Sequence, residues 1–288
     1  MFSNYRTNKR YLNQYYIAII GLLAVTNGVL YFFQAFDWES FLLFLPAVVL
    51  LTIPNISIVV IAWFYTILLC VFRSDFDVFY LAYIPLAVFV TFTASAILHS
   101  ASHSSIRPRW LGRISGELVG LWQLNGFPLW VISHILHHQH SDDPVLDPHP
   151  PMDKSYWRFL VGMRESVLTV TVNHYFSLWG KNEESIRNLK ELALESKVAV
   201  FLQVIFWYQV LGPQIFTFFF VFAVAFKMAH YAWFNYATHV HTKDGTIIVN
   251  LDQGLYKIVN FFGFGLYYHK NHHLKPGLFD PRKLSPEK

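Results

Sequence analysis

The chain has 288 residues, of which 54% are hydrophobic and only 14% charged, with 28 Phe, 16 Tyr and 9 Trp. Average soluble domains carry about 25% charged residues, so this deficit argues against an ordinary water-solvated domain and points to lipid as the main solvent. A net charge of +4 is too small and too dispersed for a nucleic-acid binder, and the single cysteine, Cys70, excludes an internal disulfide and a thiolate-rich cluster.

Residues 1–10 are polar and basic and show no cleavable signal. Residues 15–36 form the first apolar run, close to the roughly 20 residues a spanning helix needs. Arg6, Lys9 and Arg10 precede it and Asp37 and Glu39 follow it, which predicts a cytoplasmic N-terminus. Residues 41–53 and 56–72, split by Pro54-Asn55, read as two short spans or as one bent hairpin that never fully crosses. Residues 77–98 form a further span that delivers His99 and His103 at its end, just ahead of Arg107, Arg109 and Arg113. Four crossings, with two as the fallback, place both basic clusters on one side.

Residues 114–133 are apolar but carry Glu117, Gln123, Asn125, Gly126 and Pro128, which predicts a helix lying in the interface or re-entering. The long polar region 142–197 is expected to cap the site, with a membrane-surface helix over 156–179 and an amphipathic helix over 183–196. Residues 198–211 and 215–236, joined by Gly212-Pro213, predict a helical hairpin that ends in Asn235-Tyr-Ala-Thr-His239. Its second arm is apolar almost all round, and Phe218, Phe222 and Trp233 are expected to wall a tunnel for an extended hydrocarbon. Only fifteen residues follow His273, so no fused electron-transfer module is expected. The fold class is therefore all-α: a multi-pass transmembrane helical bundle with a cytoplasmic helical cap, forming one integral-membrane domain over residues 1–288.

The chemistry lies in the histidines. His134-Ile-Leu-His137-His138 is repeated in pattern by His269-Lys-Asn-His272-His273, and His99-Ser-Ala-Ser-His103 stands upstream of both. Residues three and four apart share a helix face, so each cluster aims two or three imidazoles at one point. With His239 the total is nine nitrogen donors. A catalytic zinc takes about three protein ligands, whereas nine suit two ions with four or five ligands each. Neutral nitrogen donors without thiolate serve iron or copper redox chemistry as well as zinc. Asn235 precedes His239 by one turn on the same face, a place from which to hold a metal-bound water. Asp142, Asp143 and Asp147 are expected to accept ring N–H bonds and fix the tautomers of ligand histidines. His149 and His174 read as satisfied core residues, and His140 and His241 as alternates or supporting groups. His230, inside the last span, is a functional candidate of lower rank.

These boxes, His99-x3-His103, His134-x2-His137-His138 and His269-x2-His272-His273, resemble the three histidine boxes of the membrane fatty acid desaturases and their hydroxylase relatives. Asn235-x3-His239 is similar to the extra element of the acyl-CoA desaturases, and Pro276 matches the proline that trails the third box. The resemblance covers roughly residues 77–276. The three-residue first spacer looks closer to acyl-lipid desaturases, and the short tail departs from the acyl-CoA type.

The resemblance implies a non-haem di-iron centre of two iron ions (Fe2+/Fe3+) on His99, His103, His134, His137, His138, His239, His269, His272 and His273, with Asn235 engaged through water. It further implies O2 as co-substrate, oxidation of an unactivated C–H bond in a fatty-acyl or similar lipid chain, and desaturation as the leading outcome. An external electron donor of the ferredoxin or cytochrome b5 type, with its reductase, would complete the system. A hydroxylase, acetylenase, oxidative decarboxylase or carotenoid ketolase of the same superfamily is the near alternative. A histidine-rich metal transporter is the alternative of another class, disfavoured because transporters bind near mid-membrane on broken helices. A membrane zinc hydrolase is disfavoured by the ligand count.

Overall fold

The structure is a computed structural model and describes residues 1–33, 37–73, 76–152, 154–243 and 245–284. Its helices are α1 (Phe2–Thr7), α2 (Tyr11–Phe33), α3 (Trp38–Leu50), α4 (Ile56–Phe72), α5 (Tyr83–Ser102), α6 (Arg109–Trp122) and α7 (Phe127–Gln139). There follow α8 (Tyr156–Trp179), α9 (Glu183–Ile215), α10 (Phe222–Thr238), α11 (Leu255–Phe262) and α12 (His269–Leu274), with a short antiparallel ladder of β1 (His239–Thr242) and β2 (Gly245–Ile248). The all-α class expected from the sequence is the one observed. Among the described residues, three apolar helices are long enough to cross a membrane: Tyr11–Phe33, Val78–Ser102 and the bent Glu183–Thr238. The end of the first apolar run, residues 34–36, lies outside the described residues.

The chain forms two compact units, each assembled from two separate segments: Met1–Ala87 with Val172–Phe226, and Val88–Thr171 with Lys227–Lys288. In the first unit, α2 and α9 run side by side in the same direction. Lys9 meets Glu184 at 2.9 Å, the Asn13 amide donates to the Asn188 carbonyl at 3.1 Å, and the Asn27 amide donates to the Leu202 carbonyl at 3.0 Å. The two asparagine contacts are 14 residues apart on both helices, so the pair stays in register over about 21 Å. Such buried interhelical amide bonds contribute about 1 kcal/mol each in an apolar setting. The opposite side of α2 presents Ile17, Val25, Val29 and Phe32 outward, as a lipid-facing helix does.

Short polar caps build the next hairpin. Asp37 accepts from the Ser40 N–H, Asn55 accepts from the Ser57 N–H, and the Tyr65 hydroxyl of α4 donates to the Leu43 carbonyl of α3 at 2.8 Å. At 13 residues, α3 rises only about 20 Å, less than the roughly 30 Å hydrocarbon core.

Helix α9 differs from expectation. The amphipathic stretch 183–196 and the apolar stretch 198–211 are one helix, because no residue between them favours a break. The reversal at Gly212 is present: this residue sits at φ 69°, ψ 168°, and a π-helical turn over Phe216–Val221 follows. Tyr208 then packs on Phe216 at 5.4 Å and Trp207 on Phe220 at 5.7 Å, which a straight helix forbids.

In the second unit, the segment 114–133 is two helices rather than one. Gln123 closes α6, Leu124 takes φ 55°, Gly126 caps α7, and Pro128 sits in its first turn, where its missing N–H costs nothing. Gly112, Gly116 and Gly120 form the buried stripe of α6, and a Cβ at Gly116 would overlap the ring of Phe127. The other face of α6 exposes Trp110, Ile114 and Leu118, and α11 likewise exposes Leu255, Ile258 and Phe261.

Candidate metal centre

Helix periodicity places the histidines. His99 and His103 of α5, His134 and His138 of α7, and His269 and His273 of α12 are i,i+4 pairs that share a face. His137 and His272 lie on neighbouring faces of α7 and α12. His239 is the first residue of β1, where the Val249 N–H donates to the Thr238 carbonyl at 2.9 Å and fixes the chain direction. All nine belong to the second unit.

The structure sorts these nine residues into two groups that can each hold an ion. His99, His103, His134, His138 and His272 form one; His137, His239, His269 and His273 form the other. The middle member of each His-x-x-His-His box joins the group opposite to the remainder of its helix. Ring nitrogens converge closely: His103 and His134 Nε2 stand 2.8 Å apart, His138 and His272 Nε2 2.9 Å, His239 and His269 Nε2 2.9 Å, and His269 and His273 Nε2 3.0 Å. Two nitrogens about 2.1 Å from one ion at right angles would stand about 3.0 Å apart, so the spacing fits shared coordination. His99 Nε2 and His137 Nε2 are buried with no hydrogen-bond partner, which leaves two lone pairs for an ion.

Two aspartates orient the rings. His137 Nδ1–H donates to Asp147 at 3.0 and 3.1 Å, and His239 Nδ1–H donates to Asp142 at 2.9 Å, so Nε2 carries the lone pair in both. Asp147 is completely buried and also accepts the backbone N–H groups of Asp142 at 2.7 Å and His149 at 2.9 Å. Asp143 does not share the role expected of it. Its carboxylate turns to its own loop and accepts from the Val145 and Leu146 N–H groups, both at 2.8 Å.

Burial, and after it the neighbouring imidazoles, hold His134, His137, His138, His269 and His272 far below the ordinary histidine range. Burial lowers His103 to about 4, and burial with His239 lowers His273 to about 4. All seven are thus neutral at pH 7, the form that binds metal.

The remaining candidates separate cleanly. Asn235 is buried and its amide donates to the Tyr231 carbonyl at 2.9 Å. His230 lies outside both groups, with Nδ1 3.2 Å from the Tyr267 hydroxyl. His174 packs against both Phe2 and Tyr5 in the first unit. His241 meets Thr246 across the β-ladder, and the His140 carbonyl accepts the Asp143 N–H. His149 is closer to the chemistry than a core reading allows: its ring lies 4.4 Å from His137, and with His137 and Asp147 it forms a third group able to hold an ion. Trp130 stacks on His134 at 5.5 Å, and its other neighbour, Tyr231, donates to the Gln123 side chain. The buried Lys227 donates to the Gln123 carbonyl and ties α10 to the end of α6. A lysine inside an apolar helix is the signal that marks it in the sequence. Of the expected tunnel residues, Phe218 is buried against Phe76 and Tyr80, while Trp233 is 41% exposed and donates to the Tyr256 hydroxyl.

These features define an all-α membrane protein with histidine clusters able to hold metal ions. The chain belongs to the fatty acid desaturase family, whose pattern it matches over residues 78–279, and it is thereby an enzyme of the desaturase superfamily with a lipid substrate. No curated protein and no solved structure matches it.

Proposed function

We propose that this enzyme is a di-iron oxidase that uses O2 and two electrons on an unactivated C–H bond of a fatty-acyl chain, with desaturation as its reaction. The observation that carries this reading is the sorting of nine imidazoles into groups of five and four, with no thiolate and with carboxylates confined to the far ring nitrogens. That donor set suits redox-active iron and exceeds what a single zinc takes. His99, His103, His134, His138 and His272 would hold one iron, and His137, His239, His269 and His273 the other, with Asn235 acting through water.

Iron, when bound, supplies the O2 chemistry that no side chain performs. The chain supplies orientation and dryness. Asp142 and Asp147 keep protons on Nδ1 of His239 and His137, and Trp130 covers the ring of His134.

We further infer that the chain is a single multi-pass domain with its boxes on the cytoplasmic side, served by an external ferredoxin- or cytochrome b5-type donor. The short α3–α4 hairpin favours two crossings before the first box, which leaves the parity of the four-crossing scheme unchanged. Exposed Arg107, Arg109 and Arg113 and the matched starts of α2 and α9 support this sidedness. The outward apolar faces of α6 and α11 suit helices resting in the interface. Exposed Lys270 and Lys275, at the two ends of α12, suit an acidic donor.

The test is elemental analysis of iron-replete protein joined to a product assay that requires O2 and a reductase. Two irons per chain and a product lighter by two hydrogens are expected. His138→Ala or His272→Ala should abolish turnover while the chain still inserts. One zinc with no iron in active protein would sink the reading, and a product that gains oxygen would move it to the hydroxylases.

A further inference from the structure

Beside the four-histidine group lies a set of donors that the nine imidazoles leave unused. One donor atom each from His137, Asp147 and His149 falls within 4.8 Å of the other two, and all three residues are buried. His137 Nδ1 stands 3.0 Å from Asp147 Oδ1, and His149 Nδ1 stands 3.7 Å from the same oxygen. His149 Nδ1 is buried and has no hydrogen-bond partner, although buried polar atoms are otherwise almost always paired. Pro148 and Pro150 flank this residue and restrict its backbone, and its own N–H is held by Asp147 Oδ1 at 2.9 Å. A stiff loop thus presents the imidazole to the carboxylate.

Two imidazole nitrogens and one carboxylate oxygen make the ligand set of an open zinc site. Ligands about 2.1 Å from one ion at the tetrahedral angle stand about 3.4 Å apart. The spacings of 3.0 and 3.7 Å bracket that value. Magnesium and calcium take oxygen ligands, so a donor set rich in nitrogen selects against them. The carboxylate can free a lone pair for the ion. At present His137 Nδ1–H donates to it, as do the N–H groups of His149 and Asp142. An ion that takes His137 Nδ1 displaces that proton to solvent and releases the lone pair the proton engaged: one divalent ion enters and one proton leaves. The His149 side chain is 11% exposed, against 1% for His137 and 0% for Asp147, so the ion arrives past the His149 ring.

We infer that His137, Asp147 and His149 form a third ion position, for zinc or a divalent ion of that class, whose occupation inhibits the enzyme. Inhibition follows from the shared residue. With Nδ1 ligated, His137 is joined to two ions, and Asp147 no longer orients its ring by accepting a proton. The four-histidine group then loses the tautomer it depends on. The inhibitory role rests on the di-iron reading proposed above, whereas the position itself needs only these three residues.

The experiment counts metals and follows turnover in the full chain. Iron-loaded parent equilibrated with zinc sulfate should gain one zinc per chain and keep its two irons, and turnover should fall as that zinc binds. His149→Ala should keep both irons and bind no zinc at the same concentration. Half-inhibition of the variant, each chain being compared with its own zinc-free rate, should need at least about tenfold more zinc. His149→Phe preserves the ring volume and takes the place of the alanine variant should that fail to fold. The metal-free chain gives an independent count: three zinc ions for the parent and two for either variant. A parent with two, or a variant with three, overturns the position. Zinc inhibition of equal potency in parent and variant also overturns it and assigns the effect to iron displaced from the nine histidines. Zinc bound without loss of turnover overturns the inhibitory role. A parent that takes three zinc ions but never holds iron fails on the proposed function and leaves the third position standing.

Discussion

Asp147→Asn is the most discriminating single change. Three N–H donors converge on this carboxylate: His137 Nδ1–H, the His149 backbone and the Asp142 backbone, at 2.7 to 3.1 Å. An asparagine offers one oxygen and an NH2, so at least one of the three donors must face another donor. A buried donor left without an acceptor costs about 1–3 kcal/mol. Loss of an orienting partner of this kind typically weakens metal binding by about 10–100-fold, or about 1.4–2.7 kcal/mol. The loss should be confined to the group containing His137, because the five-histidine group has no contact with Asp147. Chelator competition with iron quantified per chain is the assay. The expected result is one retained ion where the parent retains two, at chelator levels that strip only the weakened group. Asp143→Asn, whose carboxylate faces its own loop, should behave as the parent. Equal losses in the two variants, or none in either, would refute the orienting role.

Three more outcomes follow from the geometry. In a Cys70→Ser background, Ser3→Cys and Lys181→Cys should label from the same side with a membrane-impermeant maleimide, since Lys9 and Glu184 are paired; labelling from opposite sides would break the α2–α9 alignment. Gly116→Leu should lower the melting temperature and the metal content together, because the added carbons overlap Phe127, which opens the helix carrying three of the histidines; overpacking of this sort costs about 1–3 kcal/mol. The metal-free protein should lose stability as pH falls from 6.5 toward 4, for the unfolded histidines take up protons near 6.5 while His103 and His273 in the fold wait until about 4; a melting temperature flat over that window would contradict their burial.

The histidine set was legible because i,i+4 spacing is a one-dimensional record of a shared helix face, and no tertiary knowledge is needed to see it. The division into five and four was not, because neighbouring residues such as His137 and His138 differ by about 100° in direction and only the packing of α5, α7 and α12 decides what each meets. Asp142 and Asp147 were visible from their place just after a box, but a turn in which Asp143 bonds its own backbone is invisible from composition. His149 looked like a core residue because nothing in the sequence shows the loop folding back onto His137. The break in 114–133 had its signal in Asn125-Gly126-Phe127-Pro128, which an apolar average conceals. Continuity of α9 was hidden by the opposite error: a change from polar to apolar residues marks a change of solvent, not the end of a helix.

The exchange of middle histidines between α7 and α12 has a thermodynamic consequence. An ion seated on His134, His138 and His272 fixes the rotation and relative height of both helices. The same act aims His137, His269 and His273 at the second position before anything occupies it. The ordering entropy of the two helices is then spent on the first ion and not charged again to the second. Loading should therefore be cooperative, with singly occupied chains scarce at half saturation and a titration curve steeper than two independent sites allow.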